Sequence, residues 1–279
     1  MNLISQMIAD NAAGGTVNVP DGFYSIDAVN DAIWLRKSLT LNLGTATLVV
    51  QPTNVNDSFY FPIGVNGCED VTIRNGKLRG DWRSHIGPVP DGKGMGHGIV
   101  IGEARNVKLE NVDLSGFLMD GVLVAGGPNG PAVNVELNGV RSKGNRRQGL
   151  TVTSVDGLRV RVCDFSDNGI NGTDPGAGID FEPDILADQL VNGMPFKAQH
   201  IRDVLVEASR FAGNKGAGVL IACPPANRHK IDILSTNTYD GMPIDGTDGI
   251  VPFFAKWLKQ LGLGPHFNWY GYPRELHLP

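Results

Sequence analysis

The stretch Asp120-Gly121-Val122-Leu123-Val124 has a shape that recurs along this chain: one residue, then Gly, then an alternating apolar run. The same shape stands at residues 97–101, 148–152, 177–181 and 217–221, and the five glycines lie 23, 28, 29 and 40 residues apart. A second short alternating segment lies between the repeats, at 71–73, 107–109, 135–137, 158–160, 204–206 and 231–233. Self-similarity of this kind indicates a repeat architecture.

Alternation with a period of two indicates strands that bury one face. Two or three short strands in each repeat, with no helical segment between them, argue against βα units. They favour a solenoid of stacked coils, a parallel β-helix, over an antiparallel sandwich, which stays the alternative. Asn-Gly pairs such as Asn75-Gly76 recur at the expected corners, where the backbone needs a positive φ.

The two ends of the chain depart from the repeat. Leu3, Ile4, Met7 and Ile8 would share one face of a helix, and we expect that helix to cap the first coil. After residue 238 the pattern stops, so residues 1–238 are predicted to form the β-helix domain. Residues 239–279 are predicted to form an irregular, aromatic- and Pro-rich capping tail, with a short helix at 251–261.

Composition narrows the classes of partner. Glycine supplies 37 of 279 residues, about twice the usual share. The net charge of −5 argues against nucleic-acid binding, and no apolar run is long enough to span a membrane. The first residues lack the features of an intact secretory signal. We expect either an extracellular protein whose signal has been removed or a component of a phage virion.

Four stretches of the sequence resemble the pectate-lyase-like superfamily of right-handed parallel β-helices, in particular its bacterial and phage members. They are residues 14–24, 80–85, 146–149 and 177–183. The resemblance covers about residues 10–238. It implies an all-β, single-stranded right-handed parallel β-helix, a polysaccharide substrate, and either a trimer, as is common among phage members, or a monomer. Lyases, hydrolases, C5-epimerases and phage tailspikes share this scaffold, so the reaction stays open.

Alignment of the five glycines turns the columns into stacks of side chains. The first and third residues after each glycine are apolar and are predicted to point inward. The second and fourth point outward, which places Asp180 and Glu182 on one exposed face, as in a shallow saccharide groove. The insertion 183–200 is expected to overhang it. The carboxyl pair suits glycosidase chemistry, and together with Asp184 it could instead bind Ca²⁺.

Other polar residues fall near the same face. Asp120 lies two coils below Asp180 and is a candidate base, and Arg146 or Arg147 is a candidate for neutralising a sugar carboxylate. The candidate substrate-binding residues are Gln148, Thr151, Lys215, Lys143 and His97. Each could equally be an ordinary turn or surface residue.

The sequence therefore favours an enzyme that acts on a polysaccharide, expected to contain uronate, by β-elimination or C5-epimerisation. A glycoside hydrolase that uses Asp180 and Glu182 as its acid and base is the first alternative. A non-catalytic glycan-binding or structural β-helix, such as a tailspike segment, is the second.

Overall fold

The computed structural model describes residues 1–11, 14–89, 94–191 and 194–246. One helix, α1 (Leu3–Asp10), precedes the strands. In chain order these are β1 (Thr16–Asn18), β2 (Phe23–Ile26), β3 (Ile33–Leu35), β4 (Leu39–Val50), β5 (Ile63–Asn66), β6 (Glu69–Arg79), β7 (Ile99–Gly102), β8 (Arg105–Glu110), β9 (Asp113–Ser115), β10 (Val122–Ala125), β11 (Ala132–Asn138), β12 (Arg141–Lys143), β13 (Leu150–Val152), β14 (Val155–Arg161), β15 (Ile179–Phe181), β16 (Gln189–Val191), β17 (Met194–Phe196), β18 (Ile201–Glu207), β19 (Arg210–Ala212), β20 (Val219–Ile221), β21 (Arg228–Ile233), β22 (Thr238–Asp240) and β23 (Ile244–Asp245). Single turns of 3-10 helix lie at Trp82–Ser84 and Pro225–Asn227.

The strands stack into parallel sheets that run the length of the solenoid. One sheet has the order β1-β4-β6-β8-β11-β14-β18-β21, and a second has the order β3-β5-β7-β10-β13-β15-β20-β23. Strands β9, β12, β19 and β22, with a bridge at Asp164, form a third row. Among the named strands of the described ranges, only the hairpin β16–β17 pairs antiparallel. The predicted parallel β-helix is confirmed.

The inward columns predicted from the glycine alignment form the core. The first and third residues after each anchor glycine are buried, and all but one of them have no exposed surface: Ile99, Ile101, Val122, Val124, Leu150, Val152, Ile179, Phe181, Val219 and Ile221. Valines and leucines of the first sheet pack into the same core. Within that sheet they stack in register, as Val107, Val135 and Leu158 do. Removing these apolar surfaces from water is the main driving force for stacking the coils.

The anchor glycines are needed because neighbouring coils approach each other closely. A Cβ atom added at Gly149 would lie 2.7 Å from the carbonyl oxygen of Gly178, and one at Gly178 would lie 2.5 Å from that of Gly218. Any side chain at these positions would therefore push the coils apart.

Helix α1 covers the first coil as predicted, with one difference. Ile4 and Ile8 are buried and Met7 packs against the core, whereas Leu3 is 57% exposed. The side chain of Asn2 accepts a hydrogen bond from the Ser5 N–H at 2.9 Å and so caps the helix. Leu3 lies in the first turn, and its predicted contact with the core is wrong.

Parallel pairing continues beyond residue 238. Strand β22 pairs with β19 and β23 pairs with β20, so a partial coil extends to Asp245. The helix predicted at 251–261 and the rest of the capping tail lie outside the described residues. Within the described residues, no helix is both long and apolar enough to cross a membrane.

Candidate active site

The outward column of the second sheet carries the polar cluster. Strand pairing aligns Leu123 with Thr151 and Thr151 with Asp180, so these side chains share one column. The residues just before the anchor glycines, His97, Asp120 and Gln148, lie beside it. The predicted grouping of Asp180, Glu182 and Asp120 with Arg147 is present in the structure.

Arg147 is the centre of the cluster. Its Nε lies 2.8 Å from Asp120 Oδ1 and its Nη2 lies 2.7 Å from Asp120 Oδ2, a bidentate arrangement. Its Nη1 lies 2.9 Å from Glu182 Oε1. Arg147 is 2% exposed and Asp120 has no exposed surface, so this is a buried ion-pair network.

Thr151 and Gln148 connect the ion pair to Asp180. Thr151 Oγ1 lies 2.9 Å from Asp120 Oδ2 and 2.7 Å from Gln148 Oε1, and its hydroxyl can donate to either oxygen. The backbone N–H of Gln148 donates to Asp120 Oδ1 at 3.1 Å. The side-chain amide of Gln148 donates to Asp180 Oδ2. Both residues were predicted to bind substrate, and here they hold the carboxylates in place.

His97 closes the network on the side of the first coils. Its Nδ1 lies 3.3 Å from Asp120 Oδ2, and its ring packs against Phe59 with the centroids 4.8 Å apart. Burial lowers the pKa of His97, and the Asp120 carboxylate only partly offsets this effect. His97 is therefore neutral near pH 7.

The carboxyl groups of the cluster differ in their proton affinity. Burial raises the pKa of Glu182 to about 7; Arg147 opposes this shift, and the charges of Asp184 and Asp120 add to it. Burial and the neighbouring Glu182 raise the pKa of Asp180 well above its usual range. Burial and the repulsion between the two carboxyl groups thus favour the protonated forms of Asp180 and Glu182.

Asp120 behaves in the opposite way. Burial alone would raise its pKa, but the charge of the Arg147 guanidinium, its hydrogen bonds to Asp120 and the nearby His97 ring hold the pKa well below its usual range. Burial would lower the pKa of Arg147, but the carboxylates of Asp120 and Glu182 outweigh this effect and raise it. Asp120 is thus a permanent anion paired with a permanent cation, which does not suit a catalytic base.

The cluster is less open than the alternating pattern predicted. Asp180 has no exposed surface, and Glu182 and Asp184 are 6% and 7% exposed. Five buried polar atoms of the cluster have no hydrogen-bond partner within the described ranges: Asp180 Oδ1, Glu182 Oε2, His97 Nδ1, His97 Nε2 and Thr153 Oγ1. Buried polar atoms are normally paired, so these atoms mark places where a water molecule or a ligand group would bind.

A groove of about 800 Å³ runs over the outer face of the second sheet and ends at this cluster. Asp184, Met95 and Leu123 line both the groove and a small cavity that reaches Arg147 and Glu182. The predicted overhang is present: Ile185, Phe196 and Gln199 of the segment 183–200 form part of the groove wall. Asp184 is held there, because its backbone N–H donates to Gln199 Oε1 at 2.6 Å.

Three predicted site residues lie elsewhere. Lys215 pairs with Asp174 at 2.9 Å, and Lys143 lies 3.5 Å from Asp164, so both face other surfaces. Arg146 is buried, and its charge acts on Tyr60, where it lowers a pKa that burial raises. Both arginines lie in the bend between β12 and β13, where the alternation of a strand does not set their directions.

The predicted Ca²⁺ site stays a prediction. Arg147 Nη1 stands beside Glu182 Oε1, where a cation bound to that carboxylate would be repelled. Within the described ranges, no group of three or more His, Cys, Asp or Glu side chains is arranged to hold a metal ion. The guanidinium therefore disfavours a second cation at the Glu182 carboxylate.

Sequence reasoning missed the aromatic wall of the groove. Trp34, Phe59, Tyr60 and Phe61 line it, and none of them was predicted to be near the site. Trp34 pairs with Gly64, and Gly64 with Val100, so Trp34 belongs to the same outward column as Asp180. Extending the glycine alignment two coils upstream, to residues 33–35 and 63–65, would have found it.

Comparisons with known proteins agree with the architecture. The sequence matches the family described as right handed beta helix region over residues 26–174 and 62–249. A relative in Bacillus subtilis (strain 168), the SPbeta prophage-derived uncharacterized protein YorA, is 29% identical over 189 residues, which are 60% of this chain and 32% of the relative. The uncharacterized protein YclG of the same strain is 27% identical over 202 residues, 64% of this chain and 34% of the relative. The chain thus spans about a third of the length of these curated relatives.

Two solved structures share the fold at low sequence identity. PfbA, a surface adhesin of Streptococcus pneumoniae, is similar with a TM-score of 0.59 and 13% identity, over 85% of this chain and 57% of the adhesin. The pre-mature gene product 12 of bacteriophage phi29 is similar with a TM-score of 0.60 and 17% identity, over 88% of this chain and 31% of that protein. Together with the family match over most of its length, the stacked parallel coils place this chain in the right-handed β-helix family.

Proposed function

We propose that this protein is an enzyme that cleaves a polysaccharide by acid–base chemistry at Glu182 and Asp184, with Glu182 as the proton donor and Asp184 as the base. One observation carries the proposal: the Glu182 carboxyl group, with a pKa of about 7, lines a small cavity that shares Asp184, Met95 and Leu123 with the groove, and it lies next to a second carboxyl group of raised pKa. A general acid works best when its pKa lies near the working pH. Strongly shifted pKa values in a cleft are typical of catalytic sites.

The arrangement suits hydrolysis of a glycosidic bond. The protonated Glu182 carboxyl would give its proton to the glycosidic oxygen as the bond from that oxygen to the anomeric carbon breaks. A water molecule would then bond to the anomeric carbon and lose a proton to a carboxylate. Asp184 lines both the groove and the cavity beside Glu182, which supports assigning the second role to Asp184.

Arg147 favours hydrolysis over the lyase or epimerase chemistry expected from the sequence. Elimination and epimerisation both need a cation that neutralises the carboxylate of the sugar. Arg147 already holds the carboxylates of Asp120 and Glu182 in contacts of 2.7–2.9 Å. The Arg147 charge is therefore paired with carboxylates of the protein itself, and we assign to Arg147 the role of positioning Glu182.

The biological setting belongs to the same proposal. A prophage-derived relative is similar in sequence, and a phage gene product and a bacterial surface adhesin share the fold. These similarities support a phage or extracellular location, where a polysaccharide substrate is accessible. The oligomeric state expected from the family resemblance, a trimer or a monomer, stays a prediction.

The products of cleavage test this function. The protein is incubated with a panel of neutral and uronate polysaccharides, with and without Ca²⁺, and reducing ends are measured together with ultraviolet-absorbing unsaturated ends. Hydrolysis gives reducing ends alone, whereas β-elimination gives both. We expect Glu182→Gln to lower the rate by about 10²–10⁴-fold, because the proton donor is lost.

Glu136→Gln is the matched control, since Glu136 lies on the first sheet and pairs with Lys108 on its surface. Equal rates for Glu182→Gln and the parent protein would show that Glu182 is not the proton donor. A protein that binds polysaccharides and cleaves none of them would be a binding module, not an enzyme.

A further inference from the structure

The segment 183–200 leaves the coil directly after Glu182 and carries Asp184 at its start. It folds into the hairpin β16–β17 and returns through Gln199 to strand β18. Asp184 and Gln199, at its two ends, both line the groove. The contacts at the base of this segment therefore decide where Asp184 lies relative to Glu182.

Gln199 closes the base of the segment with both its side chain and its backbone. Its side-chain oxygen Oε1 accepts hydrogen bonds from the N–H groups of Asp184 at 2.6 Å and of Ile185 at 3.1 Å. Its own N–H donates to the Ile185 carbonyl oxygen at 2.7 Å. Gln199 is 6% exposed. If its side chain were removed, two N–H groups would lose their acceptor in a place with little access to water.

Asn227 ties these contacts to the next coil. Its side-chain amide donates to the Gln199 carbonyl oxygen at 3.0 Å and to the Leu186 carbonyl oxygen at 3.2 Å. Asn227 is buried and belongs to the 3-10 turn Pro225–Asn227, which precedes β21. Both ends of the segment are thus fixed to the stack of coils.

The two candidate catalytic carboxyl groups are placed by different means. The Glu182 N–H still bonds to the coil below, through the Val152 carbonyl oxygen at 3.0 Å. The N–H groups of Asp184 and Ile185 bond to Gln199 instead. The register of the coils therefore places Glu182, whereas the Gln199 side chain places Asp184.

We infer that Gln199 is a positioning residue of the proposed active site, whose side-chain oxygen holds Asp184 beside Glu182. The inference rests on the proposed function for the role of Asp184 as the base. The placement itself has a second readout, since Glu182 and Asp184 line one cavity. Burial raises the pKa of Glu182 against the opposing effect of Arg147, and the charge of Asp184 raises it further. A displaced Asp184 would therefore lower the pKa of Glu182.

Gln199→Met tests the inference in the full-length protein, because methionine has a similar length and no oxygen to accept from the two N–H groups. We expect the titration midpoint of Glu182, followed by nuclear magnetic resonance of labelled glutamate carboxyl groups, to fall below its value of about 7. On a polysaccharide that the parent protein cleaves, kcat should fall about 10- to 100-fold, because the base is misplaced. Adding Glu182→Gln in each background identifies the signal of Glu182.

Two further variants separate the hydrogen bonds from other effects of the substitution. Gln199→Glu keeps an oxygen that accepts from both N–H groups and adds a negative charge. The Glu182 midpoint should therefore not fall, and kcat should exceed that of Gln199→Met. Gln189→Met is the matched control, since Gln189 is exposed on β16 of the same segment. It should change neither the midpoint nor kcat.

The outcomes for placement and for catalysis are distinct. An unchanged Glu182 midpoint in folded Gln199→Met would overturn the inference, whether or not the protein cleaves a polysaccharide. A midpoint below that of the parent in Gln199→Glu would overturn it as well, and this test holds even if melting curves show that Gln199→Met unfolds. Midpoints that shift as expected, in a protein that cleaves nothing, would support the placement of Asp184 by Gln199 and refute the catalytic proposal.

Discussion

At the scale of single residues, two carboxyl groups that share one arginine have opposite proton affinities. Asp120 receives two hydrogen bonds from Arg147 and one from the Gln148 N–H, which stabilise its charged form. Glu182 receives one contact from Arg147 and lies beside Asp180 and Asp184, which disfavour a further negative charge. The number of donors and of like charges, not burial alone, decides which carboxyl can donate a proton.

The buried pair of Arg147 and Asp120 leads to a prediction about stability. Arg147→Met should lower the free energy of unfolding by about 3–5 kcal/mol, because it leaves the Asp120 charge buried without its partner. Arg79→Met is the control: Arg79 pairs with Asp113 at 2.6 Å, with both side chains about a third exposed. That loss should cost at most about 1 kcal/mol.

Equilibrium unfolding in urea measures both variants. The double variant Asp120→Asn with Arg147→Met should recover part of the loss, because both buried charges are then gone. If Arg147→Met costs no more than Arg79→Met, the cluster does not depend on this ion pair.

At the scale of elements, a ladder of asparagines holds successive coils in register at one corner. Asn168 accepts from the N–H and the side chain of Asn145 at 3.1 and 3.0 Å, and its own amide donates to Ser142 and Asn214 at 3.2 and 3.1 Å. The ladder lies next to the turns that carry Arg147 and the anchor glycines. It therefore contributes to placing the acidic cluster.

Removing the middle of this ladder should be costly. Asn168→Ala leaves buried donors and acceptors of two other coils unpaired, at about 1–3 kcal/mol for each unsatisfied group. Asn138→Ala, at an exposed position on β11, should be close to neutral. Denaturation midpoints of the two variants, recorded side by side, measure the difference. Equal midpoints would mean that the ladder does not stabilise the coil stack.

The repeating strands also explain which parts of the site could be predicted from the sequence. Repetition specified the register: once Gly121, Gly149 and Gly178 were aligned, the grouping of Asp120 and Asp180 followed, because parallel coils repeat one geometry. The aromatic wall at Phe59 and Phe61 could not be found this way, since it belongs to a segment that does not repeat. The deep burial of Asp180 could not be predicted either, because it depends on how the side chains around it pack and on the overhang at 183–200.

At the scale of the whole molecule, the stack of coils fixes the distances between residues of one outward column. It holds Trp34 and Asp180 in one column about 24 Å apart, and two irregular excursions, one carrying Phe59 and Phe61 and the other carrying Phe196, form walls over that column. The regular part provides the length of the groove, and the irregular parts provide its walls. This division is common in solenoids, whose loops shape the binding surface.

The proposed activity depends on a Glu182 carboxyl group that titrates near neutral pH in the folded protein. The most direct measurement follows the nuclear magnetic resonance signals of isotope-labelled glutamate carboxyl groups against pH. A comparison of the parent protein with Glu182→Gln identifies the signal of Glu182. We predict a midpoint of about 7, because burial disfavours the charged form more than Arg147 favours it. A midpoint near the ordinary glutamate value of about 4.3 would contradict the assignment of Glu182 as the proton donor.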